Sequence, residues 1–230
     1  VLVSGGLDSA VLVHAMAQRF GRVFPLYVRA GMHWEPVEEY WLKRFLRASA
    51  AVKGNGVIQA LTVARLPVGD VYGRHWSLTG HRVPGGRSAD SAVYLPGRNL
   101  LLLSKAAVFC ALRHIPAVAM GPLKGNPFPD ATPAFFRGFA ALASRALETP
   151  LRVVTPFARL SKAQVIRSAG GLPLELTLSC MRPQGRRHCG ACNKCVERRR
   201  AFRAAGLTDH TAYATRRRSH RTSGRKAPRG

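Results

Sequence analysis

The residues of this chain that could do chemistry fall in three places. The first is Ser4-Gly5-Gly6-Leu7-Asp8-Ser9, set between three apolar residues and the helical pattern Ala10, Val11, Val13, Ala15 and Met16. Adjacent glycines let a backbone approach a ligand closely, and the start of the following helix presents unpaired N–H groups and the positive end of a dipole. The segment therefore reads as an anion cradle. It has neither the Gly-Lys-Ser/Thr of a Walker A loop nor the Gly-x-Gly-x-x-Gly of a dinucleotide turn. A carboxylate at Asp8 would repel a phosphate unless a divalent cation lay between them, so Asp8 implies Mg²⁺ as well as helix capping. The second place is a pair of cations at helix starts. Ser161-Lys162-Ala163-Gln164 has the form of a capping box, and Pro96-Gly97-Arg98-Asn99 is a turn feeding a helix that Asn99 could cap. A cation in the first helical turn is disfavoured by about 0.3–1 kcal/mol, a sign that a bound phosphate would reverse.

The third place is Cys180, Cys189, Cys192 and Cys195, spaced Cys-x8-Cys-x2-Cys-x2-Cys. Four of the five cysteines within one short window, in a chain read as cytosolic, favour a metal over disulfides. Four thiolates suit tetrahedral Zn²⁺, and a filled sulfur shell leaves no open position, so the site is expected to be structural. An iron–sulfur cluster is the rival reading. Arg182, Arg186, Arg187, Lys194 and Arg198 lie near enough in sequence to offset the net charge of about −2 that four thiolates leave on Zn²⁺. Cys110, inside an apolar helix, reads as a core residue.

Short β-rich runs alternating with helical segments must position these groups. The runs are Val1–Val3, Arg22–Val28, Val57–Ala64, Ala117–Met120 and Leu151–Thr155. Val37, Tyr40, Trp41, Phe45 and Leu46 keep one helical face, and Asn99–His114 and Pro133–Leu147 read as further helices. The expected fold class is α/β: a parallel sheet flanked by helices, with a small C-terminal helical zinc-binding module. Ligands of such sheets bind at the carboxyl ends of the strands, where the Ser4 loop falls. The expected organisation is an α/β domain carrying the anion cradle over 1–175, a four-cysteine module over 176–213 and a basic tail over 214–230.

With 47% hydrophobic residues, a 230-residue chain fits one globular domain with a small appendage and is not disordered throughout. No window approaches the roughly 20 apolar residues of a membrane span, and no secretory signal opens the chain, so a soluble, cytoplasmic protein without a membrane partner is expected. The start at Val1, without an initiator Met, suggests a missing segment or a non-Met start. The formal charge of +25 suggests a polyanionic partner. Part of it sits in Arg216, Arg217, Arg218, Arg221, Arg225, Lys226 and Arg229, a tail that reads first as a solvated extension, with a nucleic-acid contact the less favoured alternative.

Ser4 to Ser9 matches in full the Ser-Gly-Gly-x-Asp-Ser signature of the PP-loop ATP pyrophosphatases, and here the chain resembles that superfamily. The resemblance implies an adenine-nucleotide alpha-hydrolase-like fold and cleavage of ATP to AMP and pyrophosphate, usually to adenylate an oxygen that a nitrogen or sulfur nucleophile displaces. Tyr94–Asn99, Pro156–Lys162, Thr177–Cys180 with the three later cysteines, Arg198–Phe202 and Ala205–Tyr213 narrow the resemblance to the 7-cyano-7-deazaguanine synthase family, QueC or ExsB, over roughly residues 1–213. That family implies a zinc-binding, ATP-dependent ligase converting 7-carboxy-7-deazaguanine and ammonia into the nitrile used for queuosine-type nucleosides. Two rounds of activation are implied, first to the amide and then to the nitrile, in an enzyme that is commonly a homodimer. On this reading Ser4, Gly5, Gly6, Leu7, Asp8, Ser9, Arg98 and Lys162 bind ATP with Mg²⁺. Asp8, Arg98 and Lys162 are its catalytic residues, and the four cysteines hold zinc.

Two segments depart from the family pattern. Where members usually carry Asp-x-Ser-Gly-Tyr-Pro-Asp-Cys-Arg, residues 121–133 read Gly-Pro-Leu-Lys-Gly-Asn-Pro-Phe-Pro-Asp-Ala-Thr-Pro. The missing Arg removes a bidentate carboxylate partner, for which Lys124 is a less directional substitute. Phe128 is expected to stack on a planar heterocycle, and Asp130 to accept hydrogen bonds from ring N–H groups. Gly31-Met32-His33-Trp34-Glu35 matches only weakly the family's Tyr-Gly-Gln-Arg-His with its downstream Glu. The nitrile synthase is the expected function. The alternatives are a related ligase that adenylates a different carboxylate or attaches a deazapurine to another molecule, and an RNA-acting PP-loop enzyme.

Overall fold

A computed structural model of the chain describes residues 1–52 and 56–214, so the basic tail and its nucleic-acid reading lie outside the described residues. The elements run α1 (Leu7–Ala17), β1 (Arg22–Val23), β2 (Leu26–Arg29), α2 (Glu35–Ala48), β3 (Val57–Ile58), β4 (Thr62–Arg65), α3 (Gly69–Tyr72) and α4 (Trp76–Thr79). They continue through α5 (Arg98–Ala111), β5 (Ala117–Ala119), α6 (Pro133–Ala146), β6 (Arg152–Val154), α7 (Lys162–Arg167) and α8 (Asn193–Ala205). Among the described residues every strand pair is parallel: β1 with β3, β2 with β4, β5 with β6.

The sheet is more broken than its sequence suggests. The run expected over Arg22–Val28 splits at Phe24-Pro25, because Pro25 has no N–H to give to a ladder, and its partner over Val57–Ala64 splits opposite it. Val1–Val3, expected as a strand, makes one parallel bridge, Leu2 to Leu26. Those three residues nonetheless join the two halves of the molecule. Leu2 N donates to Ala119 O at 3.0 Å, and Val3 N to Leu26 O at 2.9 Å. The spatial order is therefore β4, β2, residues 1–3, β5, β6, and the carboxyl ends of all these segments lie along one edge.

Helices cover both faces. α1 is apolar nearly all round, and Leu7, Ala10, Val11, Leu12, Val13 and Met16 are all buried, as a central helix must be. It packs in one cluster with Leu42 and Phe45 of α2, Val165 and Ile166 of α7, and Ala201 and Phe202 of α8. A second cluster sets Leu103, Ala106 and Cys110 of α5 and Phe136 and Ala143 of α6 against Leu26, Val28 and Val118 of the sheet. The fold class is thus the expected α/β arrangement. No helix among the described residues is long and apolar enough to cross a membrane.

Candidate active site and metal centre

The Ser4–Ser9 loop is built by its two hydroxyls. Ser9 Oγ accepts from Ser4 N at 3.1 Å and donates to Gly6 O at 3.0 Å, and Ser4 Oγ accepts from Gly6 N at 3.3 Å. Gly5 has φ +72, and a Cβ there would meet Glu38 O at 2.9 Å and Leu42 Cβ at 3.1 Å, so both the turn and its packing on α2 require glycine. Gly5 O in turn accepts from Leu178 N at 2.8 Å, which ties the loop to the segment leading into Cys180. The N-cap of α1 is Gly6, without a side-chain cap. Asp8 does not cap the helix as expected: it lies in the first turn, past the N-cap, where its carboxylate turns to Lys162.

The cations converge on this loop from other elements. Lys162 Nζ lies 3.1 Å from Asp8 Oδ2 and 2.6 Å from Glu197 Oε1, and Lys194 Nζ lies 2.7 Å from Glu197 Oε2. Burial pulls the Lys162 ammonium down, but the two carboxylates outweigh it and hold it above the ordinary lysine range. Burial likewise pushes Glu197 up, and the two lysines override it, leaving Glu197 at about 2. The expected capping box is present: Gln164 N donates to Ser161 Oγ at 3.3 Å and Ser161 N to Gln164 Oε1 at 2.8 Å, which fixes Lys162 as the first residue of α7.

Arg98 opens α5 after Gly97, an N-cap with φ +67 and no side chain to offer. Asn99 is not the cap. It is the second helical residue, and the capping is done from outside, by Asp130 Oδ2 accepting from Asn99 N at 2.9 Å while Asn99 Nδ2 donates to Asp130 O at 3.1 Å. Near Arg98, and facing the same space, is Glu38 of α2, buried and hydrogen-bonded by Tyr27 Oη at 2.9 Å. Burial pushes its carboxyl up to about 8, against the opposing pull of Arg98 and the Tyr27 hydroxyl. Sequence reading missed Glu38 and Glu197. A signal for the first exists: three of the eleven acids in a very basic chain, Glu35, Glu38 and Glu39, sit at the start of one helix.

Two adjoining cavities of about 260 Å³ each open on this edge. They share Ser4, Asp8, Val93, Leu95, Arg98 and Phe128, so they form one cleft with the loop at its centre. Within its walls Asp8 Oδ1 and Arg98 Nε are buried without a partner. Charged groups left with bonding capacity in a concave site are what a polar ligand completes, an anion at Arg98 and a cation such as Mg²⁺ at Asp8. Of the loop over 121–133, Phe128 lines the cleft and stacks on Tyr94 with centroids 5.1 Å apart. Lys124 is exposed and lines neither cavity, and the Asp130 carboxylate is engaged by Asn99.

Beside the cleft, Cys180, Cys189, Cys192 and Cys195 are all buried, with their Sγ atoms within 4.8 Å of one another. Cys189 to Cys195 is 3.9 Å and Cys192 to Cys180 is 4.0 Å. The edge of a tetrahedron with Zn–S bonds of about 2.3 Å is about 3.8 Å, so the four sulfurs fit that ion. Backbone N–H groups of Arg182 and Cys189 donate to Cys180 Sγ, and those of Ala191 and Cys192 to Cys189 Sγ. These amides add donors beside the cations expected there, of which Lys194 is paired with Glu197, and Arg198 with Asp209 at 3.5 Å. His188 stands outside the converging set of four cysteines, and its Nε2 accepts from Ser179 N at 3.0 Å. Arg198, 1% exposed, donates to Leu174 O, Thr177 Oγ1 and Ser179 Oγ and so staples α8 to the segment entering the cysteines.

Comparison with known proteins places this architecture. The family model described as queuosine biosynthesis protein QueC matches residues 1–206. A 7-cyano-7-deazaguanine synthase of Sinorhizobium fredii is 34% identical over 228 residues, covering 93% of this chain and 90% of the relative. The synthase of Anaeromyxobacter sp. is 34% identical over 229 residues, covering 93% and 94%, and that of Allorhizobium ampelinum is 32% identical over 228 residues, covering 93% and 91%.

Proposed function

This chain belongs to the QueC family, and from that premise we propose how its cleft acts as a 7-cyano-7-deazaguanine synthase, the ATP-dependent ligase that turns 7-carboxy-7-deazaguanine and ammonia into the nitrile. The observation that carries the residue assignment is the convergence of Asp8, Arg98 and Lys162, brought from three separate helix starts, on one cleft around the Ser4–Ser9 loop. The first-turn N–H groups of α1 and the glycine backbone cradle the phosphates. Lys162 and Arg98 neutralise the charge that grows on them as pyrophosphate leaves, and Asp8 Oδ1 is the oxygen available to Mg²⁺. The four cysteines hold a structural zinc, which supplies folding energy and no reactive position.

Phe128, backed by Tyr94, offers the face for the deazapurine, and Asp130 acts through α5 by fixing the start of the helix that carries Arg98. Lys124, on the exposed turn of the same loop, would meet the acid only if that turn folded over the cleft. On this reading the enzyme works in the cytoplasm, and it does so as a homodimer, the assembly common in the family it resembles. Incubation with ATP, Mg²⁺, ammonium and 7-carboxy-7-deazaguanine, followed by mass spectrometry, tests the reading: AMP, amide and nitrile are expected. Absence of AMP and product in folded, zinc-loaded protein would contradict it and turn attention to a different acid, a reading that the altered residues 121–133 would then favour.

A further inference from the structure

We propose that Glu197 is a positioning residue for Lys162, holding its ammonium at the Ser4–Ser9 loop and so making the phosphate site depend on α8. The inference rests on the reading of Lys162 as a phosphate ligand. A lysine on a four-carbon stem is placed by what holds its head, and here two carboxylates do so, Asp8 Oδ2 at 3.1 Å and Glu197 Oε1 at 2.6 Å. They are not equivalent. Asp8 belongs to the loop itself and carries the partnerless oxygen suited to a divalent cation, and a cation there repels the ammonium beside it. Glu197 belongs to a different element, α8, which the ligand does not need to move.

That element is unusually well fixed. Glu197 stands between Cys195 and Arg198, two of the least exposed residues of the molecule, and Ala201 and Phe202 one turn on pack in the same core as Val165 and Ile166 of α7. The Glu197 carboxylate is itself held in place by Lys194 at 2.7 Å, so its orientation does not depend on Lys162 alone. A competing view is that Glu197 only neutralises Lys162 and must be displaced by phosphate. The two views predict opposite signs when the charge is removed.

Glu197→Gln, Lys162→Met and the double variant, each in the full-length zinc-loaded protein, are titrated with the Mg²⁺ complex of α,β-methylene-ATP by calorimetry, and the KM for ATP and kcat are measured beside it. Glu197→Gln is expected to weaken analogue binding about tenfold, the worth of one charge-assisted hydrogen bond, and to raise the KM for ATP in step. Its zinc content and Tm should stay near those of the parent. The double variant should bind no more weakly than Lys162→Met alone. Glu197→Asp, which keeps the charge but is too short to span both lysines, should fall between the parent and Glu197→Gln, and it serves if the glutamine variant does not fold. Unchanged or tighter binding by Glu197→Gln, with Lys162→Met weakened, overturns the inference alone, as do additive effects in the double variant. Wild-type binding by Lys162→Met overturns the reading of Lys162 and the inference with it.

Discussion

Two arginines show how differently the two working regions of this molecule are built. Arg198, in the four-cysteine module, directs its guanidinium nitrogens to Leu174 O, Thr177, Ser179 and Asp209. Arg98, which lines the cleft, keeps a buried Nε with no partner, and Asp8, which lines the same cleft, keeps an oxygen in the same condition. Leaving a buried charged group short of hydrogen bonds costs more than a bond gains, so such groups persist where a ligand completes them. The Arg198 guanidinium is committed to the fold, whereas Arg98 Nε and Asp8 Oδ1 in the cleft are held for something that arrives.

Breaking the committed region should cost the fold. Cys195→Ser, or removal of zinc by a strong chelator under reducing conditions, is expected to unfold the module and abolish activity. Structural zinc sites are worth about 10–16 kcal/mol in small zinc-binding peptides at neutral pH. Thermal melts checked against metal content would read this, and full stability in zinc-free protein would refute it. Arg198→Leu should cost about 3–5 kcal/mol, because it removes the cation paired with Asp209 and the donors to Leu174 O, Thr177 and Ser179. Arg98→Met should do the reverse, lowering AMP formation about a hundredfold with a Tm shift of a few degrees at most. Equal losses of stability from the two arginine variants would erase the comparison.

Glu38 sharpens it from within the cleft. Its folded pKa, about 8, lies above the ordinary carboxyl value of 4.5, so the folded state favours the protonated form. Its contribution is fully present below pH 4.5 and lost as pH rises through 8. Relative to Glu38→Gln, the parent should therefore lose on the order of a few kcal/mol of stability across that window, read by denaturant melts at a series of pH values. A smaller effect is expected at α7, where Ser161→Ala removes one arm of the capping box and should cost about 1 kcal/mol.

Legibility in the sequence followed contiguity. Ser4–Ser9 and the four cysteines each lie in one short window whose residue types state their chemistry, and each sits where its pattern placed it. The capping box at Ser161 was legible for the same reason, being a contact between residues three apart. Partners brought together by the fold were not legible: Glu197 reaches Lys162 across 35 positions, and Asp130 caps α5 in place of Asn99 from 31 residues away. The strand breaks at Pro25 and opposite it were legible only in part, since a proline marks an interruption but not how its neighbour answers.

The most direct test of the division between the two regions is Asp8→Asn, assayed for AMP formation, zinc content and Tm in one preparation. The substitution removes the carboxylate proposed to hold Mg²⁺ and leaves the cysteines untouched. The expected result is a loss of AMP formation of about a hundredfold or more, with one zinc per chain retained and a Tm within a few degrees of the parent. AMP formation at the parent's rate would contradict the account, because the cleft's uncommitted charges would then not be where ATP is used.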